Sequence, residues 1–181
     1  RKKEAFLSLG IKEVIFEKTT PEFLKMPPKD FIEDILIKNI KRSISNFSEF
    51  DIKNLQSTIY IIPKSDDVDL DEVCEKIGKI FGIATFSKAV VAPKNMDDIK
   101  KYALEYLNDD LKYAKSFKVE SKRADKRFSL KSPEISRELG GFLFESFENL
   151  IVDVHNPEIT VTVEIREDGA YIHSDSKQGA G

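Results

Sequence analysis

The chain is short of several residue types, and each shortage excludes a class of protein. Cys74 is the single cysteine among 181 residues, so neither an intramolecular disulfide nor a cysteine-based zinc cluster can form. A reducing compartment is the natural location for such a chain. No apolar run approaches the roughly 18 residues that a membrane span needs, and residues 1–10 lack the long apolar core of a signal peptide. We therefore expect a cytoplasmic protein without a membrane partner.

An excess of positive charge is missing as well. The chain carries 29 lysines and arginines against 32 aspartates and glutamates, which gives a formal net charge of −3. Proteins that bind nucleic acid are usually basic overall. With 40% apolar and 34% charged residues, the composition is that of a soluble globular protein. A nucleic-acid site in this chain must therefore be a local basic patch on an otherwise acidic protein.

The sequence also lacks the residue patterns that support catalysis, metal binding or cofactor binding. The glycines at 140–141 lie inside a helical pattern, so they do not form a phosphate-binding loop. His155 and His173 have no cysteine or Glu-x-x-His partner, which predicts surface residues rather than metal ligands. Cys74 is predicted to be a half-buried structural thiol. The acidic residues at 66–71 lack the spacing and the glycine of a calcium loop. We expect no catalytic residue, metal or cofactor here.

Apolar periodicity and turn residues predict two successive units. The first is expected to contain strands at 12–17, 55–63 and 81–93 and helices at about 28–45 and 69–81. The order strand, helix, strand, helix, strand predicts a small α+β sandwich that ends near Ala92. Prolines between the first strand and the first helix predict a loop there.

The second unit is expected to begin at Pro93. Its predicted elements are helices at 96–107 and from 132 onwards, and strands at 116–123, 151–154, 159–166 and 170–174. Ser132 is expected to cap the second helix, with Pro133 as its first residue. In the strand 159–166, alternation places Glu164 and Arg166 on the polar face.

The strongest local signal is a basic segment between Lys112 and Lys131. It carries eight positive and two negative residues, a local charge of +6 that leaves −9 for the rest of the chain. Such segregation suits a phosphate-binding face. Phe128 could stack on a base, and the helix start at Ser132 offers free backbone N–H groups. The alternative is a solvated loop with Phe128 as a core anchor, and charge by itself leaves both interpretations open.

Longer motifs decide between these alternatives. The stretches FKVESKRADKRFSLKSPEISRELGGFLFE and VDVHNPEITVTVEIREDGAYIHSDSKQGAG resemble the RNA-binding THUMP domain. More narrowly, they resemble that domain in the tRNA 4-thiouridine synthases, also called thiamine-biosynthesis sulfurtransferases. FGIATFS resembles the junction that follows the ferredoxin-like domain of this family, and EDILIKNIKR resembles the first long helix of that domain.

The resemblance implies an α+β fold, with a small ferredoxin-like domain followed by an α/β THUMP domain. The expected limits are 1–92 and 93–176, with 177–181 as the start of a linker to a PP-loop catalytic domain that this chain lacks. In the family the THUMP domain holds the single-stranded 3′ CCA end of tRNA while the catalytic domain reaches uridine 8. ATP, a cysteine desulfurase as sulfur donor, a homodimer and thiamine synthesis are implied for the full-length enzyme.

Carried over residue by residue, the resemblance predicts seven RNA-binding residues. They are Lys118, Lys122, Arg123, Lys126, Arg127, Phe128 and Arg137. The region 17–30 departs from the family, since it lacks the glycines and the Asn-Arg pair that usually follow the first strand. An RNA contact from that loop is therefore not carried over.

Two other functions stay open from the sequence. One is a non-catalytic THUMP-type adaptor that binds RNA or docks a partner enzyme that modifies tRNA. The other is a protein–protein module without an RNA role, which would show no saturable binding of tRNA.

Overall fold

The computed structural model describes residues 12–19, 29–55, 58–65, 67–174 and 177–178. Their backbone forms two compact units, 13–88 with 177–178 and 89–174. The helices in the described ranges are α1 (Lys29–Ile44), α2 (Leu70–Ile77), α3 (Met96–Leu111) and α4 (Ser132–Ser146). The strands are β1 (Lys12–Thr19), β2 (Phe50–Leu55), β3 (Thr58–Pro63), β4 (Ile83–Ala92), β5 (Ser116–Arg123), β6 (Ile151–Val152), β7 (Ile159–Arg166), β8 (Gly169–His173) and β9 (Lys177–Gln178). The predicted α+β class is confirmed, and the expected domain limits stay a prediction.

The first unit has the β-α-β-β-α-β order of a ferredoxin-like fold. Its strands lie in the order β2-β3-β1-β4, and β3 is antiparallel to both β1 and β2. Leu36, Ile40 and Ile44 repeat every four residues along α1, and all three are buried in a cluster with Ile15 and Ile59 of the sheet. The repeat therefore gives α1 one continuous apolar face towards the sheet.

The strand predicted at 55–63 is confirmed as β3, which begins at Thr58, but the prediction missed β2, which pairs with it. Ile52 of β2 pairs with Ile61 of β3, and Asp51 pairs with Ile62. β2 lies at the end of the strand order, with one face half-buried and Asp51 and Lys53 exposed. An edge strand of this kind carries charged residues on its exposed face, and its alternation in the sequence covers only positions 50–53.

The second unit builds its sheet in the order β4-β8-β7-β5-β6. β8 is antiparallel to β4 and β7, whereas β5 is parallel to both β7 and β6. One face of the sheet and the helices α3 and α4 share a single core. Its fully buried members include Phe117, Val161, Val163, Ile165, Ile99, Ala103, Ile135, Leu139 and Leu143. None of the helices in the described ranges is long and apolar enough to cross a membrane.

Several predicted helix ends are shifted in the structure. Helix α2 stops at Ile77 instead of Phe81, whose side chain is 67% exposed. Helix α3 continues to Leu111, because this leucine is fully buried and extends the apolar face by one turn. Ser132 is the first residue of α4 rather than its cap. Lys131 occupies the cap position with an extended backbone, and its side chain makes no capping hydrogen bond.

Two polar residues that were expected at the surface are buried. Glu164 is 1% exposed and His173 is 8% exposed. Glu164 forms an ion pair with Arg166 at 3.1 Å, and its other carboxylate oxygen lies 3.7 Å from His173 Nε2. Alternation along β7 correctly gives the face on which Glu164 lies, but not whether that face is covered. Most of the departing loop at 17–30 lies outside the described residues.

Candidate nucleic-acid interface

The basic segment forms a strand, a loop and a helix start in the second unit. β5 supplies Lys118 and Lys122, the loop at 124–131 follows, and α4 supplies Arg137. β5 is fixed by seven paired positions with β7, from Phe117↔Ile159 to Arg123↔Ile165. The backbone N–H groups of Ala124 and Asp125 both donate to the Ile165 carbonyl, at 2.9 and 3.0 Å. The loop is therefore attached to the sheet at its first two residues.

Asp125 is the centre of the contacts within this loop. Its Oδ1 accepts hydrogen bonds from the Arg127 backbone N–H at 3.1 Å and from Arg127 Nε at 2.9 Å. Its Oδ2 accepts from Arg127 Nη2 at 3.2 Å and from Lys94 Nζ at 2.7 Å. The Asp125 side chain is only 7% exposed. Four donors thus surround one nearly buried carboxylate.

These contacts decide the charge state of Asp125. The Arg127 guanidinium, followed by the Lys94 ammonium and the Arg127 backbone N–H, holds the pKa of the Asp125 carboxyl far below its usual range. In return, the Asp125 carboxylate raises the pKa of Arg127. The carboxylate is therefore ionised at neutral pH in the folded protein.

Arg123 contacts the later part of the same loop. Its Nη1 donates to the Phe128 carbonyl at 3.0 Å and, more weakly, to the Leu130 carbonyl at 3.5 Å. The Phe128 N–H donates to the Asp125 carbonyl at 3.2 Å, which closes a turn over 125–128. Arg123 was predicted to contact RNA directly, and the structure places its guanidinium against the protein backbone.

Phe128 and Leu130 lie partly buried against the core of the second unit. The ring of Phe128 therefore anchors the loop, as the alternative interpretation of this residue expects. Its use as a stacking surface for a base stays a prediction.

The remaining predicted cations point to solvent. Lys122, Lys126 and Arg137 are exposed, as is Lys131 at the cap of α4, and none of the four forms an ion pair within the described residues. Lys118 differs from them, because its Nζ lies 2.8 Å from Glu120 Oε1 and its side chain is only 26% exposed. Four cations on one strand–loop–helix unit are thus available to an anionic ligand.

A groove of about 400 Å³ lies beside this cationic surface. It is lined by Phe117, Lys118, Val119, Glu120, Ser136, Arg137, Gly140, Val152 and Val154. The Ser121 and Ser136 hydroxyls share a hydrogen bond of 2.7 Å, which connects β5 with α4 next to the groove. Val152 and Val154 are 54% and 60% exposed and form an apolar wall. Lys118 is paired with Glu120 in this lining, so Arg137 is the cation that gives the groove its excess of positive charge.

The outer edge of β5 contributes backbone groups to the same region. β6 pairs with β5 only at Ser116 and Phe117, and the Asp153 N–H donates to the Phe117 carbonyl at 3.0 Å. Among the described strands, none pairs with this edge beyond Phe117. Sequence reasoning missed Gly140, Val152 and Val154. The exposure of Val152 in the edge strand β6 and of Val154 just after it marks this wall, and exposure is not readable from residue type.

The arrangement suits binding of a flexible polyanion with apolar groups. Exposed lysines attract phosphates, and the apolar wall of the groove accepts unstacked rings. Within the described part of the chain, no three His, Cys, Asp or Glu side chains lie close enough together to hold a metal ion.

Comparison with known families divides the chain in the same way. Residues 93–175 match the THUMP domain, and residues 23–87 match the ThiI ferredoxin-like domain. A probable tRNA sulfurtransferase of Alkaliphilus metalliredigens is 43% identical over 146 residues, which cover 80% of this chain and 37% of that protein. The chain spans about two fifths of the length of the curated relatives it matches, from 37% to 43%.

Two solved structures have similar folds. One is the crystal structure of a 4-thiouridine synthetase–RNA complex with bound ATP. It is 31% identical and has a TM-score of 0.80, and the match covers 94% of this chain and 42% of that chain. The other is PH1313 from Pyrococcus horikoshii, with a TM-score of 0.80 at 23% identity, covering 93% of this chain and 56% of that chain. The second likeness shows the fold alone.

Proposed function

Because this chain belongs to the tRNA sulfurtransferase family, with its ferredoxin-like and THUMP domains, we propose that it is the tRNA-binding part of such an enzyme. The full-length enzyme makes 4-thiouridine at position 8 of tRNA. The part described here holds the single-stranded 3′ end. The observation that carries the proposal is the basic strand–loop–helix unit beside the groove, with a charge of +6 in a chain of −3.

The exposed cations provide the affinity for RNA. Lys122, Lys126, Lys131 and Arg137 can each neutralise a phosphate and release its condensed counterion. This contribution is independent of the base sequence of the RNA. It also explains how a protein of net charge −3 binds a polyanion, because the negative charge lies elsewhere on the chain.

The groove favours an unpaired end over a duplex. Its volume of about 400 Å³ fits small groups rather than a helix, and an A-form duplex keeps its bases stacked and out of reach. An unpaired base can turn out of its strand and pack on Val152 and Val154 while its phosphates stay near Lys118 and Arg137. The CCA terminus of tRNA has this single-stranded character.

The wider proposal concerns the full-length enzyme and rests on the family resemblance. It includes ATP as the cofactor of a PP-loop catalytic domain and a cysteine desulfurase as sulfur donor. It also includes assembly as a homodimer, a location in the cytoplasm and a second role in thiamine synthesis.

The test is a titration of the 181-residue protein with whole tRNA and with tRNA that lacks its 3′ CCA, at two salt concentrations. We expect saturable binding that weakens as salt rises and weakens further when the CCA end is removed. Equal binding of both RNAs would contradict the role of the groove. No saturable binding of either RNA would contradict the whole proposal and favour a protein–protein module.

A further inference from the structure

We propose that Asp125 is the positioning residue of this RNA site, so that an acidic side chain inside the basic segment strengthens the binding of a polyanion. The inference rests on the proposed function and goes beyond it, because it assigns a role to a residue whose charge repels RNA. A simple count of charge predicts the opposite effect for Asp125.

The Asp125 carboxylate has an unusually complete set of hydrogen-bond partners. Its carboxylate accepts four hydrogen bonds between 2.7 and 3.2 Å, and its own N–H donates to the Ile165 carbonyl at 3.0 Å. Burial of a carboxylate to 7% exposure is unfavourable unless such partners compensate for the lost water. An acid that served only solubility would have no need of this environment.

Asp125 connects three separate parts of the second unit. Lys94 lies between β4 and α3, Ile165 lies in β7, and Arg127 lies in the loop itself. Asp125 contacts all three, so it holds the loop against two neighbouring segments of the same unit. Arg123 completes the arrangement through the carbonyls of Phe128 and Leu130.

The contacts of Asp125 also order the cations of the loop. Arg127 is 72% exposed, yet its Nε and Nη2 are both bound to Asp125, so its guanidinium is held in one orientation with Nη1 left for a ligand. Lys126 lies inside the turn closed by the Phe128 N–H and the Asp125 carbonyl. Groups that are ordered before binding lose less entropy when RNA arrives.

The deciding experiment replaces Asp125→Asn and measures the affinity for tRNA. The substitution removes one negative charge, so an effect of charge alone would tighten binding. Positioning predicts the reverse, a loss of about 10-fold, because Arg127 and the loop must then be ordered on binding. The sign of the change separates the two explanations.

Glu167→Gln is the matched control. Glu167 is exposed in the turn between β7 and β8, and its charge reaches Arg127 and helps to raise the pKa of that residue. It makes no hydrogen bond to the loop among the described contacts. This variant also removes one negative charge near Arg127, and we expect unchanged or slightly tighter binding, by about threefold at most.

A second variant and a kinetic measurement distinguish weaker binding from a folding defect in Asp125→Asn. Arg123→Lys keeps the charge but cannot reach two carbonyls in the same way, and we expect about fivefold weaker binding with an unchanged dependence on salt. For Asp125→Asn we expect a faster dissociation rate, an association rate that does not fall, and the same fraction of active protein. Misfolding would lower the active fraction and leave the dissociation rate as it was.

The possible outcomes distinguish a failure of the positioning role of Asp125 from a failure of the proposed function. If wild-type protein binds tRNA, and Asp125→Asn binds it as tightly or more tightly, the positioning role is wrong and the proposed function stands. If Asp125→Asn does not fold, Arg123→Lys decides, and wild-type affinity in that variant overturns the inference. If the wild-type protein binds no tRNA at all, the proposed function and the inference fail together.

Discussion

Removal of the three exposed lysines Lys122, Lys126 and Lys131 is the most direct test of where RNA binds. With Arg137 they are the four exposed cations of β5, the loop at 124–131 and α4 that form no ion pair in the described residues. For single strands, the logarithm of the binding constant falls by about 0.7 per phosphate contact for each tenfold increase in salt concentration. Four contacts therefore predict a salt slope of about −2.8, and the triple alanine variant, with one contact left, predicts about −0.7.

The difference in slope is large enough to measure by fluorescence anisotropy with a labelled RNA that ends in an unpaired CCA. Between about 50 and about 200 mM salt, we expect wild-type affinity to fall about 50-fold and that of the triple variant only about threefold. Lys101→Ala is the control, since this exposed lysine of α3 lies outside the basic segment. A triple variant that retains the wild-type slope would show that RNA contacts the protein elsewhere.

Three further predictions concern the groove, the loop and the core. Val154→Asp places a charge in the apolar wall of the groove, and we expect weaker binding of a CCA-ended strand in a competition assay, with little change in Tm because this side chain is 60% exposed. Because the pKa of Asp125 is lowered in the folded protein, its ion pairs stabilise the fold above the usual pKa of 3.8, and this stabilisation is lost as the pH falls below that value. The Tm difference between wild type and Asp125→Asn should therefore shrink below about pH 4. A Tm difference that is constant with pH would contradict the ion pairs. Leu139→Ala leaves a cavity in the core of the second unit and should destabilise it by about 2–5 kcal/mol in a urea titration.

The elements of the second unit could be predicted from the sequence because their patterns are local. The alternation in ITVTVEIRE is that of β7, and the Ser-Pro-Glu start precedes the apolar residues of α4. β2 was missed because its alternation of apolar and charged residues covers only positions 50–53, too few to stand out from a loop. The burial of Glu164 depends on what covers one face of β7, and neighbouring residues in the chain do not contain that information.

The candidate site could be located from the sequence but its parts could not be assigned. The eight basic residues between Lys112 and Lys131 identify the segment, since its net charge can be summed directly from the sequence. The role of each cation depends on distances of a few ångströms between residues that the sequence separates. Lys94 and Asp125 are 31 positions apart and form an ion pair of 2.7 Å.

The structure therefore changes what the local charge of +6 means. Three of the eight cations are engaged within the protein: Lys118 with Glu120, Arg123 with two carbonyls, and Arg127 with Asp125. The first two of these are also less exposed than Lys122 or Lys126. An engaged cation contributes geometry as well as charge, because it fixes the loop from which the exposed lysines project. Replacement of an exposed lysine should consequently change the salt dependence of the affinity, whereas replacement of Arg123 or Asp125 should change the dissociation rate. These two effects can be measured without knowing how the RNA lies on the protein.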